Sequence, residues 1–475
     1  MILEIAWKNV WRNKTRSLIV ITAVTIGVFA GVFTIAAMNS SVVQRIDAAV
    51  NEEMSHIQVN NKDFRSSSDI RNVINDYPSL KSALESVPGV VNTTGRIIIK
   101  GIASTASKST GVEITGIDIE KEKGIFTLYK KLIPGTGSYF GSETKLNTAF
   151  IGEKLAKELN IIRYTLTKDG LTKLESEGVP AEVITKLGSI RDQIFPTDKK
   201  FSNSVATLLT PAELKKFSYK IKEAAWSYRE GAKVILTFLD MENNQTGAAF
   251  RVTGIFRTNN DMFESLAVFV PENELRELTG MEEGTYHRVI ARLENDELTD
   301  KVTPMIRESF SGYEVLSWKE IQPDLAMLAD MMEEIYGIFM AIILAALAFG
   351  IVNTMLMAVL ERTREIGMLA AIGMNRRKIF SMIMLESVFL SIVGGITGMA
   401  VSGAVIAATA KNGINLMKYS EGMEALGYTA HLFPTIDVQF FITTTILIVL
   451  TGILSSVYPA RKALKLNPVE AIRGE

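Results

Sequence analysis

Four long apolar stretches dominate the pattern of hydrophobic and polar positions along the chain. A helix needs about 20 apolar residues to cross the roughly 30 Å hydrocarbon core of a bilayer. Every stretch is long enough, and the four together contain one charged side chain, Glu386. Each therefore predicts a membrane-spanning helix. The stretches are Leu18–Ala37, Ile335–Leu360, Ile379–Ala410 and Val438–Ala460.

The first stretch could alternatively belong to a cleaved signal peptide, because basic residues from Lys8 to Arg16 precede it. Its apolar run, however, exceeds the usual 7–15 residues of a signal peptide, and no A-x-A cleavage site follows. We therefore favour a retained helix.

Basic residues in the short segments between spans predict the orientation, because such segments are enriched in Lys and Arg on the cytoplasmic side. Segments 1–17, 361–378 and 461–475 each have more basic than acidic residues, whereas segment 411–437 has more acidic ones. Four spans place both termini on one side. We expect that side to be the cytoplasm and the protein to lie in the inner membrane.

The predicted layout is one span, a large extracytoplasmic domain and then three spans. Its bounds are 1–17 for an amphipathic N-terminal helix, 18–40 for span one, 41–331 for the extracytoplasmic domain, 332–360 for span two, 361–378 for a cytoplasmic loop, 379–410 for span three, 411–437 for an extracytoplasmic loop, 438–460 for span four and 461–475 for a cytoplasmic tail.

The large extracytoplasmic segment has the pattern of an α+β domain. Short runs rich in β-branched residues and bounded by Gly, Asn or Asp predict strands, and apolar residues at helical spacing predict helices between them. The strands are expected at 56–60, 96–102, 112–117, 233–239, 250–256 and 287–293, and the helices at 79–86, 153–160 and 272–278.

The stretch 163–229 differs from its surroundings, since it is rich in Lys, Glu, Ser and Thr. Thr210, Pro211 and Glu213 have the order of a helix start with a capping box. We interpret the stretch as a helical insert in the α+β domain. Its helices are expected at 168–176, 181–193 and 211–227.

The loop between spans two and three predicts a short helix, a sharp turn and a new helix. Good helix formers fill Glu361–Ile372. Gly373 stands where a helix ends in a left-handed conformation, and Asn375 can cap the next helix. Ile366, Leu369 and Ile372 or Gly373 share one face.

Two further interpretations of this loop come from spacing. Arg362 and Glu365 are three residues apart and can pair on the helix surface. The apolar face can dock on a cytoplasmic partner or can lie on lipid as part of an ordinary basic loop. The residues alone favour the lipid alternative.

The C-terminal tail carries a second helix start. Asn467, Pro468 and Glu470 supply a cap, a proline in the first turn and an acidic residue three positions after the cap. Together with basic residues such as Arg461, this indicates a docking element, the alternative being a basic membrane anchor.

Composition excludes several classes of function. The chain of 475 residues has no cysteine, which removes thiolate metal sites and cysteine nucleophiles, and its three histidines lie far apart in sequence. A net charge of −1 gives no general attraction to nucleic acid. No Gly-Lys dipeptide occurs, so the phosphate-binding loop G-x-x-x-x-G-K-[ST] is absent. We expect no metal, no cofactor and no catalytic residue in this chain.

Three blocks of the sequence resemble the permease family that includes MacB, FtsX and LolC/LolE. The longest runs from Asn353 to Gly398 and contains MLMAVLERTREIGMLAAIG, then a Glu early in span three and a Gly-Gly-x-x-Gly. The other two are AWKNVWRNKTRSLIVITAVTIGV near the start and PARKALKLNPVEAIR at the end, where Ile472 replaces the usual Leu.

Segments of the extracytoplasmic domain resemble those of the lipoprotein-releasing members. They are MSHIQVN, AFIGEKLAKELNI, GAKVILTF, FRVTGIFRT and AVFVPENEL. The strand beginning at Gly231 comes about 67 residues later than in the family pattern, so the insert 163–229 departs from that pattern.

The resemblance implies a permease of the mechanotransmission class of ABC transporters. In that class two four-span chains pair with a dimer of cytoplasmic P-loop ATPases, which bind the ATP and Mg²⁺. Motion of the spans is passed to the extracytoplasmic domains, and no substrate need cross the membrane. The second permease chain would be identical or homologous, and the protein would also contact membrane lipid and a periplasmic lipoprotein or carrier.

The resemblance also implies roles for individual residues. Glu361 would end span two, and the C-terminal docking element would consist of Arg461, Asn467, Pro468 and Glu470. The ATPase contact would be formed by Arg362, Arg364, Glu365, Ile366, Gly367, Leu369, Ala371 and Gly373.

Polar and small residues within the spans require separate explanations. A carboxylate at membrane depth is costly, and we expect Glu386 to pair with Arg377 or Lys378 near the cytoplasmic surface. The pairs Gly27/Gly31 and Gly394/Gly398 permit close helix packing, either between two permease chains or within one.

The favoured function is lipoprotein release, and three alternatives remain. A MacB-like exporter of small molecules or peptides cannot be separated from it by sequence. An FtsX-like scaffold that regulates cell-wall hydrolases is disfavoured, because its outer domain is usually much smaller than the 297 residues between spans one and two. A receptor or membrane enzyme is disfavoured because the cytoplasmic pieces are too short to fold alone.

Overall fold

The computed structural model describes residues 2–141, 147–435 and 438–464. They form two compact units. The helical unit comprises residues 1–44, 324–420 and 429–475, and the α/β unit comprises 45–323 and 421–428.

Helices account for most of the chain outside the central sheet. Short 3-10 turns lie at 128–131, 188–190, 296–298 and 417–419, and a π-turn at 49–54. In chain order the α-helices are α1 (Ile2–Arg12), α2 (Lys14–Ala48), α3 (Phe64–Ser67), α4 (Tyr77–Glu85), α5 (Ile119–Lys123), α6 (Glu153–Glu158), α7 (Lys168–Ser176), α8 (Ala181–Leu187), α9 (Asp198–Leu208), α10 (Pro211–Ala225), α11 (Asp261–Leu266), α12 (Glu272–Thr279), α13 (Thr299–Ser309), α14 (Trp318–Ile321), α15 (Pro323–Glu361), α16 (Thr363–Ala371), α17 (Arg376–Asn412), α18 (Ser420–Ala425) and α19 (Val438–Leu464).

The strands belong to one large sheet and two small ones. They are β1 (Ile57–Asn60), β2 (Val90–Ser104), β3 (Ser109–Ile117), β4 (Asn147–Gly152), β5 (Ile162–Tyr164), β6 (Trp226–Tyr228), β7 (Lys233–Leu239), β8 (Gln245–Phe256), β9 (Ala267–Pro271), β10 (Arg288–Leu293), β11 (Glu314–Ser317), β12 (Ile414–Asn415) and β13 (His431–Leu432).

The helical unit contains the four predicted spans as α2, α15, α17 and α19, each long and apolar enough to cross a membrane. Three of them begin earlier than predicted, α17 by three residues, at Arg376. Helix α15 begins at Pro323 instead of residue 332, because its first turns consist of good helix formers that follow a proline suited to a helix start. Helix α2 begins at Lys14, since the predicted N-terminal helix 1–17 is interrupted at Asn13.

The α/β unit is built on a nine-stranded mixed sheet. The strand order is β11-β1-β10-β2-β3-β9-β4-β8-β7. All six predicted strands are present within it, and α4, α6 and α12 confirm the predicted helices. One face of the sheet carries the main apolar core, which includes Val59, Ile97, Ile114, Val289 and Phe250.

The insert forms a helical subdomain at the end of the two-stranded β5–β6 hairpin. Its own core includes Leu174, Leu187, Phe201 and Ile221. Helices α7 and α10 match their predictions, and Thr210 and Glu213 form the predicted capping box. The second predicted helix, 181–193, is too long, because the α-helix ends at Leu187 and a 3-10 turn follows.

Candidate functional site

The loop between spans two and three folds as its sequence predicts. Helix α15 ends at Glu361, and α16 follows after Arg362. Gly373 has a φ of +92°, a conformation that glycine adopts without a steric penalty. Asn375 caps α17, its side chain accepting a hydrogen bond of 2.9 Å from the backbone N–H of Arg377. The chain therefore reverses sharply between two rigid helices.

Two ion pairs attach α16 and the end of α15 to the N-terminal part of the chain. Arg12 of α1 donates to both carboxylate oxygens of Glu365 at 2.9 and 2.6 Å, a fork geometry that fixes orientation as well as distance. Arg16, at the start of α2, pairs with Glu361. The predicted pair of Arg362 with Glu365 is therefore wrong, because Glu365 is engaged by α1 instead.

A buried polar cluster lies behind these surface pairs. Glu386 of α17 accepts from Asn9 Nδ2 at 2.6 Å and from Arg362 Nη1 at 3.2 and 3.3 Å. Arg362 also donates to the backbone carbonyl of Asn9 at 3.2 Å. This cluster joins α1, α17 and the segment between α15 and α16 through charge-assisted hydrogen bonds.

The structure contradicts the predicted partners of Glu386. Arg377 and Lys378 lie about two turns earlier on α17, and both are exposed. The carboxylate, which is 9% exposed, instead meets Arg362 from the preceding helix–helix junction. A partner distant in sequence reaches it because the sharp turn at Gly373 brings α16 back alongside α17.

Helix α16 has one face turned inward and one turned outward. Ile366 and Gly367 are buried and Leu369 is partly buried, with Ile366 and Leu369 packing in the core of the helical unit. Ile372 is 84% exposed because the helix ends one residue earlier, so the predicted apolar face is shorter than expected. The outward residues are Arg364, Met368, Ala371, Ile372 and Gly373.

A groove of about 480 Å³ runs beside α16, and its lining extends to the exposed side chains of Met368 and Ile372. Its polar wall includes Asn9, Arg12, Glu365 and Glu386, and its apolar wall includes Ile366 and Met382. Trp7 packs edge-on against Phe389 with ring centroids 5.4 Å apart, which further fixes α1 on α17. The short helix α16 is therefore held between three longer helices, α1, α15 and α17.

The four span glycines pack against helices of the same chain. A Cβ at Gly394 would lie 2.7 Å from Val24 Cβ, and one at Gly398 would lie 3.0 Å from the carbonyl oxygen of Thr25. Gly27 and Gly31 meet Leu347 and Ile343. These glycines therefore permit α2 to approach α17 and α15 closely.

The predicted C-terminal docking element lies only partly within the described residues. Arg461 is exposed near the end of α19, whereas Asn467, Pro468 and Glu470 lie outside the described residues. Within the described ranges, no group of three His, Asp or Glu side chains is placed to hold a metal ion.

Sequence reasoning missed the importance of the N-terminal helix. Arg12 and Arg16 entered only as basic residues that set orientation, and Asn9 was not singled out. Asn9, Arg12 and Arg16 are three and four residues apart, so their polar side chains form a stripe along one side of this segment. Trp7 and Trp11, in the same segment, are apolar. Such a stripe beside a membrane span indicates a helix with partners on its polar side.

Comparison with known proteins identifies the region that contains this site. Residues 337–468 match the family described as FtsX-like permease, C-terminal. The chain carries an FtsX-like permease domain. Helices α16, α17 and α19 and most of α15 lie within this FtsX-like permease domain, whereas α1, α2 and most of the α/β unit lie outside it.

The chain is also similar to individual proteins beyond the FtsX-like permease domain. An uncharacterized ABC transporter permease of Methanocaldococcus jannaschii is 28% identical over 233 residues, which cover 48% of this chain and 55% of that protein. The macrolide export ATP-binding/permease protein MacB of Chlorobium phaeobacteroides is 25% identical over 485 residues, covering 99% of this chain and 60% of that protein. The chain thus spans little more than half the length of either relative.

Among solved structures, the periplasmic region of MacB from Actinobacillus actinomycetemcomitans is similar over 60% of this chain and 98% of that one, with 11% identity and a TM-score of 0.28.

Proposed function

We propose that this chain is the membrane subunit of a MacB/FtsX-type ABC transporter and that a separate cytoplasmic ATPase drives it. The observation that carries the proposal is the position of α16, a short helix held between spans by Arg12–Glu365 and Arg362–Glu386. A helix so fixed can transmit a push applied to its outer face. The FtsX-like permease domain around it supports the same assignment.

The proposed path of motion starts at the outward face of α16. An ATPase dimer that closes on ATP displaces Arg364, Met368 and Ala371. The ion pairs and the buried Glu386 cluster pass the displacement to α1, α2 and α17, because rigid helices move as units. Helix α2 and helix α15 continue directly into the α/β unit, so their movement is delivered to that unit.

This path divides the residues predicted to contact the ATPase into two groups. Arg364, Ala371 and Gly373 are available to a partner. The others position α16, because Glu365 pairs with Arg12 and the remaining four are turned inward: Arg362, Ile366, Gly367 and Leu369. The C-terminal residues Asn467, Pro468 and Glu470 remain a proposed second docking element.

The proposed assembly has the ATPase and both termini in the cytoplasm, the α/β unit outside the inner membrane, and a second permease chain. For the substrate we favour MacB-type export over lipoprotein release. The similarity to MacB extends over almost the whole chain, including the α/β unit. Lipoprotein release rests on the resemblance of short segments alone.

The proposed ATPase contact predicts a pattern of cross-linking. Because the native chain has no cysteine, a single Met368→Cys substitution on the outward face gives one thiol. We expect it to cross-link to a co-purified P-loop ATPase with a short bismaleimide. The matched Ile366→Cys variant, buried on the same helix, should cross-link only weakly. Equal yields from both positions, or none from Met368→Cys, would contradict the docking role of α16.

The Arg12–Glu365 pair predicts a charge-swap effect on coupling. Glu365→Arg should lower transport-coupled ATPase activity by about five-fold or more. A five-fold effect is the low end of the coupling free energies found between two sites in a protein. The free energy of unfolding should change by about 1 kcal/mol or less, because the Arg12–Glu365 pair is exposed. Combining it with Arg12→Glu should restore activity. An inactive double variant would sink the idea that this pair transmits motion.

A further inference from the structure

The α/β unit carries a polar surface on the face of its sheet opposite to the main core. The strand register places Asn60, Arg288 and Arg96 side by side on β1, β10 and β2. Gln58, Asn60 and Arg96 are almost fully buried, although they lie on the side of the sheet away from the apolar core. Buried polar groups are costly unless they have partners, so this face needs an explanation.

A pocket of about 280 Å³ opens on this polar face. Arg65, Arg96, Arg288 and Glu113 contribute charged groups to its wall. The pocket also includes Glu53, which is already bound by Arg45 at 2.8 Å and by Asn260 at 3.0 Å.

Two of the arginines are direct cross-strand neighbours, Arg288 on β10 and Arg96 on β2. Like charges placed directly opposite in a sheet repel. Arg96 is compensated, because it forms a buried ion pair with Glu122. Arg65 lies 3.8 Å from Glu314.

Arg288 lacks such compensation. Among the described residues its guanidinium makes a single hydrogen bond, from Nε to Asn60 Oδ1 at 2.9 Å. Within the described part of the chain, no carboxylate lies within 4 Å of its guanidinium, and the nearby charge of Glu113 acts from farther away. Burial lowers the pKa of Arg288 to about 10. The terminal nitrogens of this arginine are therefore free to bind an added anion.

The pocket also has an apolar side. Phe263 and Phe269 line it, together with Met262 and Leu266 of α11, which are 72% and 45% exposed. Exposed apolar side chains beside a cationic group fit a ligand that has both an anionic head and an apolar body. A small inorganic anion alone would leave this apolar wall unused.

We propose that this pocket binds an amphiphilic oxyanion, a carboxylate or phosphate monoester attached to an alkyl chain, with its head on Arg288 and its chain along Met262, Phe263 and Leu266. The site goes beyond the proposed transport function. Binding at it requires no ATPase, so a failure here would leave the coupling role untouched.

Octyl phosphate is a suitable probe for the full chain in phosphatidylcholine nanodiscs. We expect saturable binding above that of empty nanodiscs, measured by equilibrium dialysis with radiolabelled probe. Octanol and inorganic phosphate should each bind about ten-fold more weakly or worse, since each lacks half of the interaction. Equal affinity for inorganic phosphate and octyl phosphate would overturn the amphiphile assignment.

Substitutions test the two sides of the pocket separately. Arg288→Gln should weaken octyl phosphate about ten-fold or more, as expected for the loss of a hydrogen bond to a charged group, and Arg288→Lys should have an intermediate effect. Arg191→Gln, on the exposed surface of the insert, is the matched control and should bind like wild type. Leu266→Asp, at an exposed rim position, supplies a second test and should also weaken binding. Unchanged affinity in Arg288→Gln and Leu266→Asp would overturn the site.

The origin of the ligand can be distinguished by changing the nanodisc lipid. If a lipid headgroup occupies the pocket, phosphatidylglycerol nanodiscs should compete and lower the apparent affinity for octyl phosphate. If a soluble amphiphile is the ligand, the Arg288-dependent affinity should be the same in both lipids. Either result supports an oxyanion site, whereas loss of the difference between wild type and Arg288→Gln in both lipids overturns it.

Discussion

Replacing Glu386 by alanine is expected to destabilise the helical unit by about 3–5 kcal/mol, because it leaves Arg362 buried without its counter-charge. The side chains of Glu386 and Arg362 are only 9% and 17% exposed. Removing one partner also breaks the 2.6 Å hydrogen bond from Asn9. The change can be measured as denaturant unfolding of the full chain in dodecyl maltoside, followed by circular dichroism.

Two further variants show whether the loss of stability in Glu386→Ala comes from the buried pair. Glu365→Ala removes a carboxylate from an exposed pair and should cost about 1 kcal/mol or less. The double variant Arg362→Met/Glu386→Met should recover most of the lost stability, since a buried pair replaced by apolar side chains is often neutral. If Glu386→Ala and Glu365→Ala have the same small effect, the Glu386 cluster is not the buried anchor of α16.

The fold could be predicted from sequence where a feature depends on local composition. Long uncharged runs gave the four membrane helices, and β-branched runs gave the six strands. The ends of the helices were less certain, because helix α15 continues into residues such as Asp324 and Glu334 that are polar but favourable in a helix. The length of an apolar run therefore predicts that a membrane span exists, but it does not predict where the helix begins and ends.

The turn between α16 and α17 was also predictable, because its determinants are local. Gly373 supplies the positive φ, and Asn375 supplies the cap. The partners of charged side chains were not predictable in this way. Arg362 lies three residues from Glu365 yet binds Glu386, and Glu365 binds Arg12. Spacing along a helix shows which groups could meet but not which distant group competes for them.

One helix of the insert, α9, also depends on contacts that local sequence does not reveal. Helix α9 was missed because its mixed polar sequence has few apolar positions. Phe201 and Val205 nevertheless share one buried face, and Thr197 caps the start by accepting from the N–H of Lys200. A short helix with two or three core contacts is stabilised by neighbours such as Tyr164, whose ring stacks on Phe201 at 5.2 Å.

Two buried histidines in the α/β unit predict a strong dependence of stability on pH. His287 accepts a hydrogen bond at Nδ1 from the backbone N–H of Ile98 at 3.0 Å, and its Nε2 lies 2.8 Å from the carbonyl of Ile70. This arrangement is assigned to the neutral ring protonated at Nε2. A second proton at Nδ1 would face the N–H of Ile98, so protonation costs a hydrogen bond as well as burial of charge.

Burial accordingly lowers the pKa of His287 to about 4, and burial together with the charge of Arg292 lowers the pKa of His56 to about 4. The unfolded value is 6.5. Above pH 6.5 both rings are neutral in both states, and their contribution to stability is complete. As pH falls from 6.5 towards 4, the unfolded chain binds protons that the folded chain does not, so stability is lost. Each histidine should account for about 2 kcal/mol by pH 5 and about 3 kcal/mol by pH 4.

The wild-type profile alone does not isolate this effect, because burial raises the pKa of Glu264 to about 7. A carboxyl group with a raised pKa stabilises the fold at low pH and opposes the histidines in the same window. The informative quantity is the difference in unfolding free energy between wild type and His287→Asn, in which the contribution of Glu264 cancels. The asparagine carbonyl can still accept from Ile98 but does not titrate. We expect the wild-type advantage to shrink by about 2 kcal/mol between pH 7 and pH 5, and by about twice that against the His56→Asn/His287→Asn double variant. An advantage that stays constant with pH would show that His287 is protonated equally in the folded and unfolded chains, and the neutral hydrogen-bonded ring would then be wrong.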